Sequence, residues 1–132
     1  MFFLPMQHKA AGLSHNPLKA IVSPRPIAWV SSRGADGSIN LAPYSFFNAV
    51  SEDPAMLFFS AEVLAGGQRK DSLRNIEETG EFTVNVVGEA QFDAMNISSG
   101  NFPYSDNEFI HADLEMVAVS YTHLRAHETS NH

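Results

Sequence analysis

The sequence predicts a mainly β protein, a small β-barrel with short helices added to it. Short apolar runs bounded by turn-forming residues recur through the first half of the chain. Between two of these runs lies Asp36-Gly37, a dipeptide that strongly favours a β-hairpin. Helical patterns come only later, as two short segments, so strands and helices do not alternate as they do in βαβ proteins.

Six segments are predicted to be extended. The segment 55–60 is apolar throughout, with Met56-Leu57-Phe58-Phe59 at its centre, and is expected to be a buried strand. Phe58 and Phe59 are accordingly interpreted as core residues. Pro43 is expected to end the strand over residues 39–42, because proline lacks the N–H that a strand ladder uses. The expected strands are residues 21–22, 27–32, 39–42, 44–50, 55–60 and 82–87.

Two helices are predicted after these strands. Asp71 is expected to be the N-cap of a helix over residues 72–79, and Gly80 has the position and residue type of a helix-ending glycine. A second helix over residues 89–97 would place Phe92 and Met95 on one face.

Composition excludes several classes of function. The chain has 132 residues, enough for one domain with a core, and it contains no cysteine, which removes disulfides and thiolate chemistry. Its formal net charge is −7 and its basic residues form no patch in the sequence, so nucleic acid is not an expected partner. The sequence contains neither a signal-peptide pattern nor an apolar run of membrane-spanning length, and we expect a cytoplasmic protein without membrane contact.

The last fourteen residues, 119–132, differ from what precedes them. They read VSYTHLRAHETSNH and contain three of the six histidines. His123 and His127 stand four apart beside Glu128, a spacing that suits metal ligands on a helix, but no third ligand is spaced to complete a site. The segment resembles the translation of a transposase adapter used in preparing DNA sequencing libraries. We therefore expect residues 119–132 to be a non-native tail and predict no metal site.

Three segments taken together resemble the flavin reductase-like family. Their order and spacing match that family over about residues 18–117, and a later segment, AMNISS at 94–99 followed by Glu108-Phe109, fits as well. The three segments are SPRPIAWVSS at 23–32, NLAPYSFFN at 40–48 running into SEDP at 51–54, and KDSLRNI at 70–76 followed by GEFTVN at 80–85.

The resemblance implies an FMN-binding split barrel that forms a homodimer and binds FMN non-covalently near the subunit interface. The family continues through further barrel strands, so residues 1–118 are interpreted as the N-terminal part of the domain and the barrel as incomplete at its C-terminus.

The residue types also suit a flavin phosphate. Free backbone N–H groups at a helix start, hydroxyls and a cation bind phosphate well, and Pro24 and Pro26 hold Arg25 in a stiff frame. Aromatic and amide groups would hold the flavin ring. The candidate cofactor-binding residues are Arg25, Ser31, Ser32, Ala42, Pro43, Tyr44, Ser45, Phe46, Asn48, Lys70, Asp71 and Ser72.

Each assignment has a plainer alternative. Asp71 and Ser72 are also ordinary helix-capping residues, Lys70 would usually lie on a solvated face, and Phe46 belongs as readily to a core. No general acid or base is evident, and no catalytic residue is assigned, which suits hydride transfer better than hydrolysis.

The predicted function is an FMN-dependent oxidoreductase that takes electrons from NAD(P)H or another donor and passes them to flavin or a small acceptor. No Gly-x-Gly-x-x-Gly fingerprint is present, so NAD(P)H would dock transiently against the flavin. Two alternatives stay open: an FMN-holding electron carrier with no turnover of its own, and a fragment without function.

Overall fold

The computed structural model describes residues 3–62, 67, 70–100, 107 and 114, and in this part the protein is mainly β. Its strands form a three-stranded antiparallel sheet in the order β2-β1-β5 and a two-stranded antiparallel sheet of β3 and β4. The elements are α1 (Leu18–Ile21), β1 (Ala28–Arg33), β2 (Ile39–Tyr44), β3 (Phe47–Ser51), β4 (Met56–Phe59), α2 (Asp71–Thr79), β5 (Thr83–Asn85), a 3-10 turn (Glu89–Gln91) and α3 (Phe92–Ser98).

The hairpin predicted at Asp36-Gly37 is confirmed. β1 and β2 pair antiparallel from Ala28 opposite Tyr44 to Arg33 opposite Ile39. Gly37 has a φ of +87°, a left-handed conformation that glycine adopts without strain. The Asp36 side chain accepts a hydrogen bond of 2.9 Å from the Ser38 N–H and so stabilises the turn.

Several strand predictions differ from the structure. β3 is Phe47–Ser51 where residues 44–50 were expected, and β5 is Thr83–Asn85 where residues 82–87 were expected. Ile21 belongs to helix α1 and Val22 is its C-cap, where a strand over residues 21–22 was expected. β2 does not stop before Pro43 but passes through it to Tyr44, with Pro43 opposite Trp29. In the described sheet β2 is an edge strand, and an edge tolerates a residue without an N–H.

The prediction that residues 55–60 form a buried strand is correct for the strand and wrong for its burial. β4 pairs with β3, but Met56, Leu57 and Phe58 are each between 44% and 49% exposed. A two-stranded sheet presents two faces, and in the described part of the chain neither face of β4 is fully covered. Of the two phenylalanines assigned to the core, only Phe59 packs against it.

The core lies where β1, β2 and β4 meet. Ala28, Val30 and Tyr44 are buried, and Phe59 lies against Tyr44 with ring centroids 4.9 Å apart. Phe59 also meets Phe82 edge-on at 5.2 Å, so the three rings form one aromatic layer.

Both helices lie close to their predicted positions. α2 begins one residue earlier than expected: Lys70 is its N-cap and Asp71 its first residue. Gly80 ends it with a φ of +75°, which confirms the predicted glycine stop. In α3, Phe92 and Met95 line the same apolar cleft of about 330 Å³, which confirms that they share a face.

Candidate functional site

Five of the predicted cofactor-binding residues meet where the chain bends from β2 into β3. Tyr44 ends β2, Ser45 and Phe46 form the bend, and two basic side chains approach from elsewhere in the chain. The Arg25 guanidinium lies 5.4 Å from the Phe46 ring centroid, and the Lys70 ammonium lies 5.3 Å from that of Tyr44. We call this group, Arg25, Tyr44, Ser45, Phe46 and Lys70, the aromatic-cation corner.

Arg25 is fixed by three hydrogen bonds. Its Nη1 donates to the carbonyls of Lys19 and Val22, both at 2.7 Å, and its Nε donates to Ser45 Oγ at 3.2 Å. The two carbonyls lie at the end of α1, so the guanidinium also terminates that short helix. A guanidinium has five N–H donors. The bonds within the described part of the chain use Nε and Nη1, which leaves the two N–H groups of Nη2 for a ligand.

The start of α2 provides the second set of donors. Its N-cap, Lys70, makes no side-chain capping bond, so the first-turn N–H groups lack the partner that a capping serine or aspartate supplies. Beside them, burial raises the pKa of the Asp71 carboxyl above its usual value, and nearby Arg74 partly offsets this rise.

Two predicted site residues, Ser32 and Ser72, belong to a buried group of polar side chains. The Ser72 hydroxyl donates to Asn40 Oδ1 at 2.5 Å, and Asn75 Nδ2 donates to Ser32 Oγ at 3.1 Å. All four side chains are at most 7% exposed. We call Ser32, Asn40, Ser72 and Asn75 the polar cluster. It joins α2 to the hairpin.

Comparison with known proteins establishes the family. Residues 22–126 match the model of the flavin reductase like domain. The chain belongs to the flavin reductase-like family. An uncharacterized protein of Aquifex aeolicus is 44% identical over 94 residues, an alignment that covers 71% of this chain and 48% of the relative. The chain therefore spans about half the length of that relative.

Solved structures agree with the flavin reductase-like assignment. Nitrilotriacetate monooxygenase component B from Bacillus cereus superposes with a TM-score of 0.75 at 30% identity, covering 91% of this chain and 59% of that one. A Shewanella frigidimarina protein described as a flavin reductase with a split barrel domain superposes with a TM-score of 0.71 at 17% identity, covering 91% of this chain and 60% of that one. The predicted split-barrel fold is thereby confirmed.

The boundary between a native domain and a foreign tail stays a prediction. The flavin reductase-like match runs to residue 126, past the predicted boundary at residue 118. His123, His127 and Glu128 lie outside the described residues. Within the residues that are described, no group of three histidines or carboxylates could hold a metal ion, and no helix is long and apolar enough to cross a membrane.

The remaining predicted residues lie apart from the aromatic-cation corner or only beside it. Ser31 accepts a 3.2 Å hydrogen bond from Asn85 Nδ2 across the β1–β5 pair. Asn48 lies exposed in β3, and its Oδ1 accepts from the N–H of the next residue at 2.8 Å. Ala42 and Pro43 are half-buried in β2, directly before Tyr44.

Sequence reasoning missed three residues that the fold brings to this region of the flavin reductase-like domain. Lys19 places its ammonium 5.8 Å from the Phe46 centroid, beside Arg25. Asn40 and Asn75 complete the polar cluster. For Asn75 a signal was present, because it follows Ser72 by three residues and so lies on the same helix face. Asn40 offered none until the strand pairing was known.

Proposed function

We propose that this protein is an FMN-binding oxidoreductase and that the aromatic-cation corner, with the start of α2, holds the flavin phosphate. The observation that carries the proposal is the convergence of Arg25 and Lys70 on consecutive residues 44–46. In a chain of net charge −7, cations lie next to both rings of this bend, Lys19 and Arg25 at Phe46 and Lys70 at Tyr44, and they favour an anionic ligand there.

The donor groups fit a phosphate. A phosphate dianion accepts several short hydrogen bonds and is best held by a guanidinium, an ammonium and free helix N–H groups. Arg25 supplies Nη2, Lys70 its ammonium, and α2 its uncapped first turn. The hydroxyls of Ser32 and Ser72 already have partners in the polar cluster, so their predicted contact with the cofactor would need that cluster to rearrange.

The flavin ring would lie along the bend beside the phosphate. Of the two aromatic residues there, Tyr44 is 6% exposed and packs in the core, whereas Phe46 keeps more open surface. The polar edges of the ring would meet the backbone at Ala42, Pro43 and Ser45 and the exposed amide of Asn48. The bound flavin would supply the hydride and electron chemistry, and the protein would orient it and set its hydrogen bonds.

The electron donor we propose is NAD(P)H docking transiently on the flavin, and the acceptor is free flavin or a small molecule. Membership of the flavin reductase-like family supports electron transfer from NAD(P)H to flavin, as does the likeness at 30% identity to a monooxygenase component. The 132 residues contain no Rossmann-type phosphate fingerprint, and we propose that the nicotinamide docks directly against the flavin.

The proposal is tested by titrating the 132-residue chain with FMN and with riboflavin, which carries the same ring without a phosphate. We expect quenching of flavin fluorescence and a shift of the flavin absorbance bands with both, and at least tenfold tighter binding of FMN, about 1.4 kcal/mol. NAD(P)H oxidation by the FMN-loaded protein then separates an oxidoreductase from an electron carrier, because a carrier would bind FMN and leave NAD(P)H unchanged.

A folded chain that binds neither flavin would contradict the proposal. Folding is judged independently from the fluorescence of Trp29, the one tryptophan of the chain, which is 4% exposed and should emit at short wavelength. Equal affinity for FMN and riboflavin would remove the phosphate site and keep only the flavin-ring site.

We also propose a homodimer, supported by the exposed apolar side chains of the β3–β4 sheet. Val50, Met56, Leu57 and Phe58 are all at least 44% exposed, and their burial in a subunit contact would be favourable. Light scattering during size-exclusion chromatography should give the mass of two chains. Leu57→Lys should shift that mass toward one chain, whereas Lys9→Ala, at an exposed position remote in sequence, should not. A parent chain that elutes as a monomer would overturn this part of the proposal.

A further inference from the structure

The polar cluster has a geometry that apolar packing alone would not produce. Ser32 and Asn40 are directly opposite each other in the β1–β2 register. Ser72 and Asn75 are three residues apart on α2 and so lie on one face of the helix. Each helix side chain bonds to one strand side chain, at 2.5 Å for Ser72 with Asn40 and at 3.1 Å for Asn75 with Ser32.

We infer that Asn40 and Asn75 are positioning residues: through Ser72 and Ser32 they fix the first turn of α2 at the place where it binds the flavin phosphate. The inference rests on the proposed function. It extends it by assigning a role to two residues outside the aromatic-cation corner and by changing the role of Ser72 from direct ligand to anchor.

The Ser72 hydroxyl is already engaged within the polar cluster. A serine hydroxyl has one proton to donate, and here it goes to Asn40. A phosphate oxygen needs a donor, so the hydroxyl cannot serve the phosphate while it serves Asn40. Because the whole Ser72 residue is buried, the groups left to the ligand are the Lys70 ammonium and the N–H groups of the half-buried Asp71 and Leu73.

The first turn of α2 is held in place by an apolar contact and by the hydrogen bonds of the polar cluster. Ile76 packs against the core, and an apolar contact of this kind resists separation of helix and sheet but permits small sliding and rotation. Hydrogen bonds have a narrow range of length and angle, so two of them, one helical turn apart, fix both movements. Binding through several donors at about 2.7 to 3.2 Å tolerates only small displacements of the donors.

The test compares FMN with riboflavin on Asn40 variants of the 132-residue chain. Asn40→Leu removes the acceptor of the Ser72 hydroxyl. We expect this variant to bind FMN about tenfold more weakly and to keep its riboflavin affinity within about twofold of the parent's. Asn40→Thr keeps an oxygen that can accept from Ser72 and adds no charge near the phosphate, and it should restore most of the preference for FMN. Rescue by this variant separates loss of the bond from a change of volume.

Ser98→Ala is the matched control. Ser98 is also a buried serine, 1% exposed, and its hydroxyl bonds Trp29 Nε1 at 2.8 Å and the Met95 carbonyl at 2.7 Å. Its loss should lower the thermal midpoint as the loss of any buried hydrogen bond does, without changing the ratio of FMN to riboflavin affinity. Should Asn40→Leu not fold, Asn75→Ala tests the same assignment through the second bond.

Each outcome decides the inference. A selective loss of FMN affinity, rescued in Asn40→Thr, supports it. Asn40→Leu that folds and keeps the parent's preference for FMN overturns it, as does an equal loss of both flavins. A parent chain that binds neither flavin, or binds both equally, overturns the proposed phosphate site itself, and this is known before any variant is compared.

Discussion

Replacing Arg25 by alanine is expected to weaken FMN binding by roughly 30-fold, or about 2 kcal/mol, the usual worth of a hydrogen bond to a charged group. The guanidinium is held by Ser45 and by the carbonyls of Lys19 and Val22, so it meets a phosphate already oriented and loses little side-chain freedom. Its position over the Phe46 ring also shields one side from water, which strengthens its attraction for an anion. Isothermal titration with FMN measures the loss.

The controls for Arg25→Ala separate charge from structure. Riboflavin affinity should change little, because it has no phosphate to lose. Arg33→Ala removes the same charge from an exposed position at the end of β1 and should leave FMN binding almost unchanged. Arg25→Lys should recover part of the affinity, since an ammonium attracts phosphate but cannot reproduce the fork of donors. If Arg25→Ala binds FMN as the parent does, the aromatic-cation corner is not the phosphate site.

The parts of the fold that the sequence predicts correctly are those set by local chemistry. Asp36-Gly37 favours one turn whatever surrounds it, and the chain makes a hairpin there. Gly80 ends α2 because the left-handed conformation suits glycine at that point, and this too is independent of distant contacts.

The errors fall where distant contacts decide. The burial of β4 depends on what packs over it, and an apolar run such as residues 56–59 reads the same whether a partner layer is present or not. Residues 21–22 carry β-branched side chains that favour a strand, yet Arg25 binds the carbonyls of Lys19 and Val22 and supports a helical turn instead. Neither the packing over β4 nor the hydrogen bonds of Arg25 to these carbonyls can be predicted from sequence spacing.

The candidate site divides in the same way. Resemblance to the family brought together Arg25, Ser45, Phe46 and Lys70, and the fold does place them at one bend. The resemblance could not separate residues proposed to contact the ligand from residues that connect α2 to the β1–β2 hairpin. That distinction required the register of β1 against β2, which sets Ser32 opposite Asn40 and both beneath α2.

The largest loss of stability is expected for Leu41→Ala, about 3 kcal/mol within the 2 to 5 usual for a buried leucine. Leu41 is 1% exposed and is the largest of the fully buried side chains of the described residues. It lies in β2 next to Asn40 of the polar cluster and lines a cleft of about 440 Å³ together with Trp29, so its truncation enlarges a space that the neighbouring side chains cannot readily fill. Urea unfolding followed by Trp29 fluorescence measures the loss directly.

Leu41→Met conserves volume and should cost less than about 1.5 kcal/mol. If alanine costs no more than methionine, the hairpin is not supported by this side chain, and the frame that carries the aromatic-cation corner must be stabilised chiefly by the aromatic layer of Tyr44 and Phe59.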